Sequence, residues 1–203
     1  MSYVLHMRWD NLFDDLESQL EAELEADDVG LRVEEERLRL ARLGLRDRLV
    51  AIATDTLGSD VPVRLLLGDR RSLDVHFITL GRDWASVNRI GGPSSYCLVP
   101  FAAISGIVLM RAQVQSSLAS PAAPDTLASR LGFGYMLRDL CRRRTAVEIV
   151  QSRGEAIHGT IDRVGRDHLD LAVHEAGIAR RERDVAHIRI VPFDVIETVR
   201  AAV

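Results

Sequence analysis

The sequence predicts an α+β, mostly β chain in which two small barrels each follow a helix, with an acidic amphipathic helix in front. Three observations carry this. First, "VRLLLGDRRSLDVHFITLGRDWASV" (63–87) aligns without a gap on "VEIVQSRGEAIHGTIDRVGRDHLDL" (147–171), an offset of 84 residues. Second, apolar and polar residues alternate inside each copy, the period of a half-buried strand. Third, a Leu/Arg-rich segment of helical spacing precedes each copy, as "RLGLRDRL" (42–49) and "RLGFGYML" (130–137). Self-similarity at a fixed offset marks a repeated structural unit.

At the N-terminus, Trp9, Leu12, Phe13, Leu16, Leu20 and Leu24 recur at steps of three and four, one stripe of an amphipathic helix with acids opposite. Gly30 in "ADDVG" is suited to end that helix. A second helix is predicted over 34–53, with Leu38, Leu45, Leu49 and Ile52 as its buried stripe. In the first barrel Leu65, Leu67, Leu73, Val75 and Phe77 point inward. "GDRR" (68–71) and "SRGE" (152–155) read as hairpin turns, and Gly-Arg-Asp at 81–83 and 165–167 as a second turn. "CLVPFAAISGI" (97–107) matches "RIVPFDVIETV" (189–199) at an offset of 92, so the second copy carries eight more residues between its blocks. Pro100 and Pro192 cannot donate to a ladder and mark a corner before the last strand. The resulting organisation is an acidic helix (1–30), a first helix-plus-barrel repeat (31–111), a linker (112–124) and a second repeat (125–203), where Asp125 is placed to cap the next helix.

All 26 basic residues are Arg, and charge is unevenly spread. Residues 1–36 hold twelve acids against Arg8 and Arg32, while the remainder holds 24 Arg against 18 acids. An acidic arm is joined to a basic body, a polarity that bears on partners rather than on fold. No apolar run approaches the ~18 residues needed to cross a bilayer, and Cys97 and Cys141 have neither metal nor redox spacing. The six His do not cluster with metal spacing; His168, Asp170 and His174 come nearest. Neither a Gly-rich phosphate loop nor a nucleophile elbow is present. The expectation is a cytoplasmic, non-catalytic protein with no cofactor, no metal and no membrane partner.

With these residues in view, each copy resembles the Sm-like (LSm) barrel. "GTIDRVGRDHLDLAV" (159–173) is similar to its strands two and three, and "IRIVPFDVIETV" (188–199) to strand four, a 3₁₀ turn and strand five. "ITLGRDWASV" (78–87) and "CLVPFAAISGI" carry the same pattern more weakly. Other SH3-like barrels share the alternation but not the leading helix with this ending. The resemblance covers about three quarters of the chain. It implies binding of single-stranded RNA, or contact with a ribonucleoprotein, by loop residues after strands two and four. At the matching positions stand Arg82-Asp83-Trp84 and Arg166-Asp167-His168, which makes Arg82, Trp84, Arg166 and His168 the candidate contacts. The family's Asn is absent from both copies, and Val-Pro-Phe replaces its basic-Gly pair. Charge adds Arg138 with the run Arg142, Arg143 and Arg144, and a loop with Arg180, Arg181 and Arg183, which read either as phosphate contacts or as solvated surface. An alternative role is an adaptor that docks a protein partner through Trp9, Leu12, Phe13, Leu16 and Leu20. Exposed edges seek partners, so the barrels are expected to pair within one chain or to build a homo-oligomer or ring.

Overall fold

The computed structural model describes residues 19–20, 24, 28–55, 61–68, 71–91, 96–118, 126–177 and 180–201. The chain divides into two compact units, Met1–Gly44 and Leu45–Val203. In the first, residues 28–41 are helical. Gly30 therefore sits inside a helix rather than ending one. It is carried there by strong helix formers on its C-terminal side and by the Arg32–Asp28 ion pair at 2.7 Å, spaced i,i+4. The helix predicted over 34–53 is interrupted at 42–44. Of its expected stripe, Leu49 and Ile52 are buried, whereas Leu38 and Leu45 are exposed.

The second unit is α+β, built on one ten-stranded antiparallel sheet. Helix α1 (Leu45–Asp55) leads into β1 (Val63–Leu67), β2 (Arg71–Leu80), β3 (Trp84–Arg89), β4 (Tyr96–Pro100), a 3₁₀ turn (Phe101–Ala103) and β5 (Ile104–Val108). Three helices follow: α2 (Arg111–Leu118), α3 (Leu127–Arg130) and α4 (Phe133–Arg142). Then come β6 (Ala146–Gln151), β7 (Ala156–Val164), β8 (His168–Val173), β9 (His187–Pro192), a second 3₁₀ turn (Phe193–Val195) and β10 (Ile196–Ala201). The sheet order is β5-β1-β2-β3-β4-β10-β6-β7-β8-β9, so the second five strands repeat the order of the first.

The register repeats as well. Leu65 faces Leu73 as Ile149 faces Ile157, and Trp84 faces Pro100 as His168 faces Pro192. β2 shifts register between Phe77 and Thr79, and β7 shifts at the equivalent Ile161 and Arg163. Such irregularities bend a strand and sharpen its twist. Even the cross-strand pair Arg64–Asp74 (2.7 Å) has a positional counterpart in Glu148 and His158 (3.3 Å), with the acid on the opposite strand of the pair. Each half buries its own alternating residues. Val63, Leu65, Leu67, Val75 and Val87 form one cluster, and Val147, Ile149, Ile161, Leu169 and Leu171 belong to the other. The proline corners form as the sequence predicts, since each 3₁₀ turn starts directly after Pro100 or Pro192.

Two local readings change. The stretch read as a linker begins with α2, whose Gln113 and Ser117 are buried. Gln113 accepts from the Met110 amide at 2.8 Å, and Arg48 of α1 donates to Ser117 at 2.8 Å, so polar side chains hold this helix instead of an apolar stripe. The cap of α3 is Thr126, whose side chain accepts from the Ser129 amide; Asp125 lies outside the described residues. At "RLG" one helix ends and another opens three residues on, at Leu45 and at Phe133.

Candidate functional site

The two Gly-Arg-Asp turns have one backbone design. The Gly81 amide donates to the Trp84 carbonyl at 2.8 Å, and the Gly165 amide to the His168 carbonyl at 2.8 Å. Each turn is latched to a proline corner: Phe101 donates to the Asp83 carbonyl at 2.9 Å, and Phe193 to that of Asp167 at 2.8 Å. A helix-borne arginine binds each glycine carbonyl, Arg46 at 2.9 Å and Arg138 at 3.0 Å. The ring two residues beyond Arg82 or Arg166 folds back over the turn, where a Cβ on Gly81 or Gly165 would collide with Trp84 or His168. Glycine is required there by close approach.

Around this shared frame the surroundings differ. Trp84 is 2 % exposed and packs in the apolar cluster of the second half. Its indole Nε1 donates to the Leu131 carbonyl at 2.9 Å, which also accepts from the Arg82 amide at 3.0 Å. The Asp83 carboxylate accepts from the Phe133 amide at 2.6 Å. Trp84 is thus a buried tie between the halves, and the stacking role predicted for it is sterically closed. His168 remains exposed, with Nδ1 2.8 Å from Asp167 Oδ1. That hydrogen bond, more than the neighbouring positive charges of His168 and Arg166, holds the Asp167 carboxyl below the usual carboxylate range.

Because the first turn docks on the start of α4, both turns open on one cleft of about 940 Å³. Arg82, Arg130, Arg138 and Arg166 line it together with Asp83, Asp167, Asp194 and His168. Phe101, Tyr135, Ile190 and Phe193 add apolar surface. Phe193 is fixed by an edge-to-face contact with Phe133, ring centroids 5.8 Å apart, while Tyr135 is 44 % exposed. Four guanidiniums oppose three carboxylates, of which Asp83 already caps a helix and Asp167 already holds His168. Arg82 stands 3.7 Å from Asp83, Arg138 gives one N–H to Gly165, and the Arg142 guanidinium lies over the Tyr135 ring, 5.9 Å from its centroid. The cleft thus combines guanidinium donors with a partly exposed aromatic residue.

Of the predicted contacts, Arg82, Arg138, Arg166 and His168 meet in this cleft and Trp84 does not. Arg142 and Arg143 pair with Asp139 at 3.2 and 2.7 Å, and Arg144 with Asp162 at 3.1 Å. Arg180 shares Asp162 at 2.7 Å. These four arginines share two carboxylates away from the cleft rather than gathering in it. Leu20 is exposed, and Trp9, Leu12, Phe13 and Leu16 lie outside the described residues. Arg130, Tyr135, Phe101 and Phe193 went unrecognised in the sequence. Their signal was the pairing of the "RLGF" and "VPF" segments with the Gly-Arg-Asp turns, which only the junction between the halves reveals.

Among the described residues no group of three or more His, Cys, Asp or Glu side chains is placed to hold a metal ion. His174 is buried, with Nδ1 3.0 Å from the Glu175 carbonyl and Nε2 2.9 Å from Thr160 Oγ1. The carbonyl can only accept, so Nδ1 carries a proton. Burial pushes the Cys97 thiol up, against the opposing charge of Arg89 and Arg200. Among the described residues no helix is long and apolar enough to cross a membrane. No family model, curated protein or solved structure matches this chain.

Proposed function

We propose that the protein is a non-catalytic, tandem Sm-like protein that binds single-stranded RNA in the cleft between its two Gly-Arg-Asp turns. The observation that carries this is the convergence of Arg82, Arg130, Arg138 and Arg166 with the exposed ring of Tyr135. Guanidiniums bind phosphates and stack on bases, and an exposed aromatic ring takes an unpaired base. Arg142 already lies over the Tyr135 ring, 5.9 Å from its centroid, so a base stacks on the opposite face. A helix, five bent strands and a 3₁₀ turn before the last strand in each half support the Sm-like part of the reading. The test is fluorescence anisotropy with a labelled single-stranded oligoribonucleotide at low salt. Wild-type protein binds, Tyr135→Ala loses about 1–3 kcal/mol of affinity, and Tyr135→Phe retains most of it. Absence of binding by wild-type protein overturns the proposal.

A second reading rests on Leu20 and Leu24, four residues apart in sequence and 58 % and 60 % exposed. They continue the Trp9/Phe13 stripe and suit an adaptor that lays this helix in a partner's apolar groove. Retention of a co-purifying protein by Trp9→Ala/Phe13→Ala would remove that reading.

A further inference from the structure

A second group of arginines, none of which lines the cleft, meets on the sheet where one half passes into the other. Strand side chains alternate between faces. One face brings together Arg71 of β2, Arg89 of β3, Cys97 of β4, Thr198 and Arg200 of β10, and Glu148 of β6. They line a cavity of about 40 Å³. Strands β2, β3 and β4 belong to the first half, and β6 and β10 to the second, so the cavity lies across the junction where Leu98 faces Val199. At about 10–15 Å³ for each water, such a space holds roughly three waters, enough for a small oxyanion.

The charges around this cavity do not balance. Arg71 pairs with the buried Glu197 at 3.1 Å, and Arg200 with the buried Glu148 at 2.6 Å. Arg89 is half-buried and makes no ion pair or hydrogen bond with a described residue. Three guanidiniums against two carboxylates leave one positive charge over, and a charge drawn out of water without a counter-ion costs free energy. Thr198 is 6 % exposed, and its hydroxyl also has no hydrogen bond with a described residue. Cys97 adds a thiol that burial holds in its protonated form, within the field of Arg89 and Arg200. An unpaired planar fork, a hydroxyl and a thiol thus face one small space, each with a hydrogen to donate.

We propose that this cavity binds one phosphate group, either as the free inorganic ion or as the terminal phosphate of a nucleotide. Arg89 holds two of its oxygens as a bidentate donor, and Thr198 donates to a third. Arg71 and Arg200 stay with their carboxylates and shape the local field. The two direct contacts come from β3 and β10, one strand in each half, so the bound anion ties the halves together and stabilises the folded chain. This inference does not depend on RNA binding in the cleft.

The test is isothermal titration calorimetry and thermal denaturation of the nuclease-treated, phosphate-free full chain. Both are run in an Arg82→Ala/Arg166→Ala background, so that the cleft contributes least. Sodium phosphate is expected to bind once per chain and to raise Tm by about 5 °C at a hundredfold excess over its Kd. Sodium chloride at equal ionic strength is expected to do neither. Arg89→Gln should weaken binding by about tenfold or more with an unchanged circular dichroism spectrum. Without phosphate its Tm should equal or exceed that of its parent, because the unpaired charge is gone. Thr198→Ala should weaken binding about fivefold, and it serves as the deciding variant should Arg89→Gln fail to fold. Adenosine 5′-monophosphate is titrated in parallel: binding that depends on Arg89 assigns the site to a terminal phosphate, and its failure beside phosphate binding assigns it to the free ion. No saturable phosphate binding, a chloride effect equal to that of phosphate, or variants that bind like their parent would overturn the proposal.

Discussion

Asp83 accepts a 2.6 Å hydrogen bond from the backbone amide of Phe133, so a turn of the first half caps a helix of the second. A side-chain acceptor at a helix start contributes on the order of 1 kcal/mol. Asp83→Ala is expected to lower stability by about that amount in urea denaturation, and Asp83→Asn, which keeps an acceptor, by less. Equal losses for the two variants would mean that this hydrogen bond does not hold the junction.

Trp84 and His168 occupy equivalent positions in the register but opposite environments. Trp84→Ala removes a buried indole and is expected to cost about 3–5 kcal/mol. Trp84→Phe, which loses part of the volume and the bond to Leu131, should fall near 1–3 kcal/mol. His168→Ala touches an exposed ring and should stay within about 0.5 kcal/mol. The measurement is the set of denaturation midpoints, and a His168→Ala loss as large as that of Trp84→Ala would contradict the environments described.

Much of this architecture was legible because its signals are local. Strand alternation, Gly at 81 and 165, and Pro at 100 and 192 each impose a backbone outcome that does not depend on the rest of the fold. The offsets of 84 and 92 residues then fixed which segments correspond. What failed was whatever depends on distant partners. The Gly-Arg-Asp-aromatic pattern looks alike in both copies, yet Trp84 is buried by α4 and His168 is not. Helix α2 escaped notice because Gln113 and Ser117 anchor it, leaving no apolar stripe to detect. Half of the cleft was readable as charge. The other half, Arg130 and Tyr135, comes from a helix start that reaches the first turn only through the junction.

Acid should weaken the fold in a defined window. Hydrogen bonds from Arg64 to Asp74, from Arg189 to Glu155 and from His168 to Asp167 hold these carboxyls below their ordinary range. The folded chain therefore binds fewer protons than the unfolded chain at mildly acidic pH. This contribution is complete above the unfolded carboxylate range, near 4, and is lost as pH falls through the lower folded values. All three groups are exposed and solvent-screened, so the loss should be shallow. Melting temperatures recorded from neutral pH downward check this: Arg189→Ala is expected to reduce the acid-dependent drop, and an unchanged drop would remove the Arg189–Glu155 pair from the account.

The cleft claim is tested most directly by the salt dependence of RNA binding. Anisotropy titrations of a single-stranded oligoribonucleotide, run from about 50 to 300 mM salt, give the slope of log affinity against log salt. That slope counts phosphate contacts at about 0.7 per contact on a single strand. Arg82→Ala/Arg166→Ala is expected to weaken binding and to flatten the slope by about 1.4. A double variant with the wild-type slope and affinity would contradict the account.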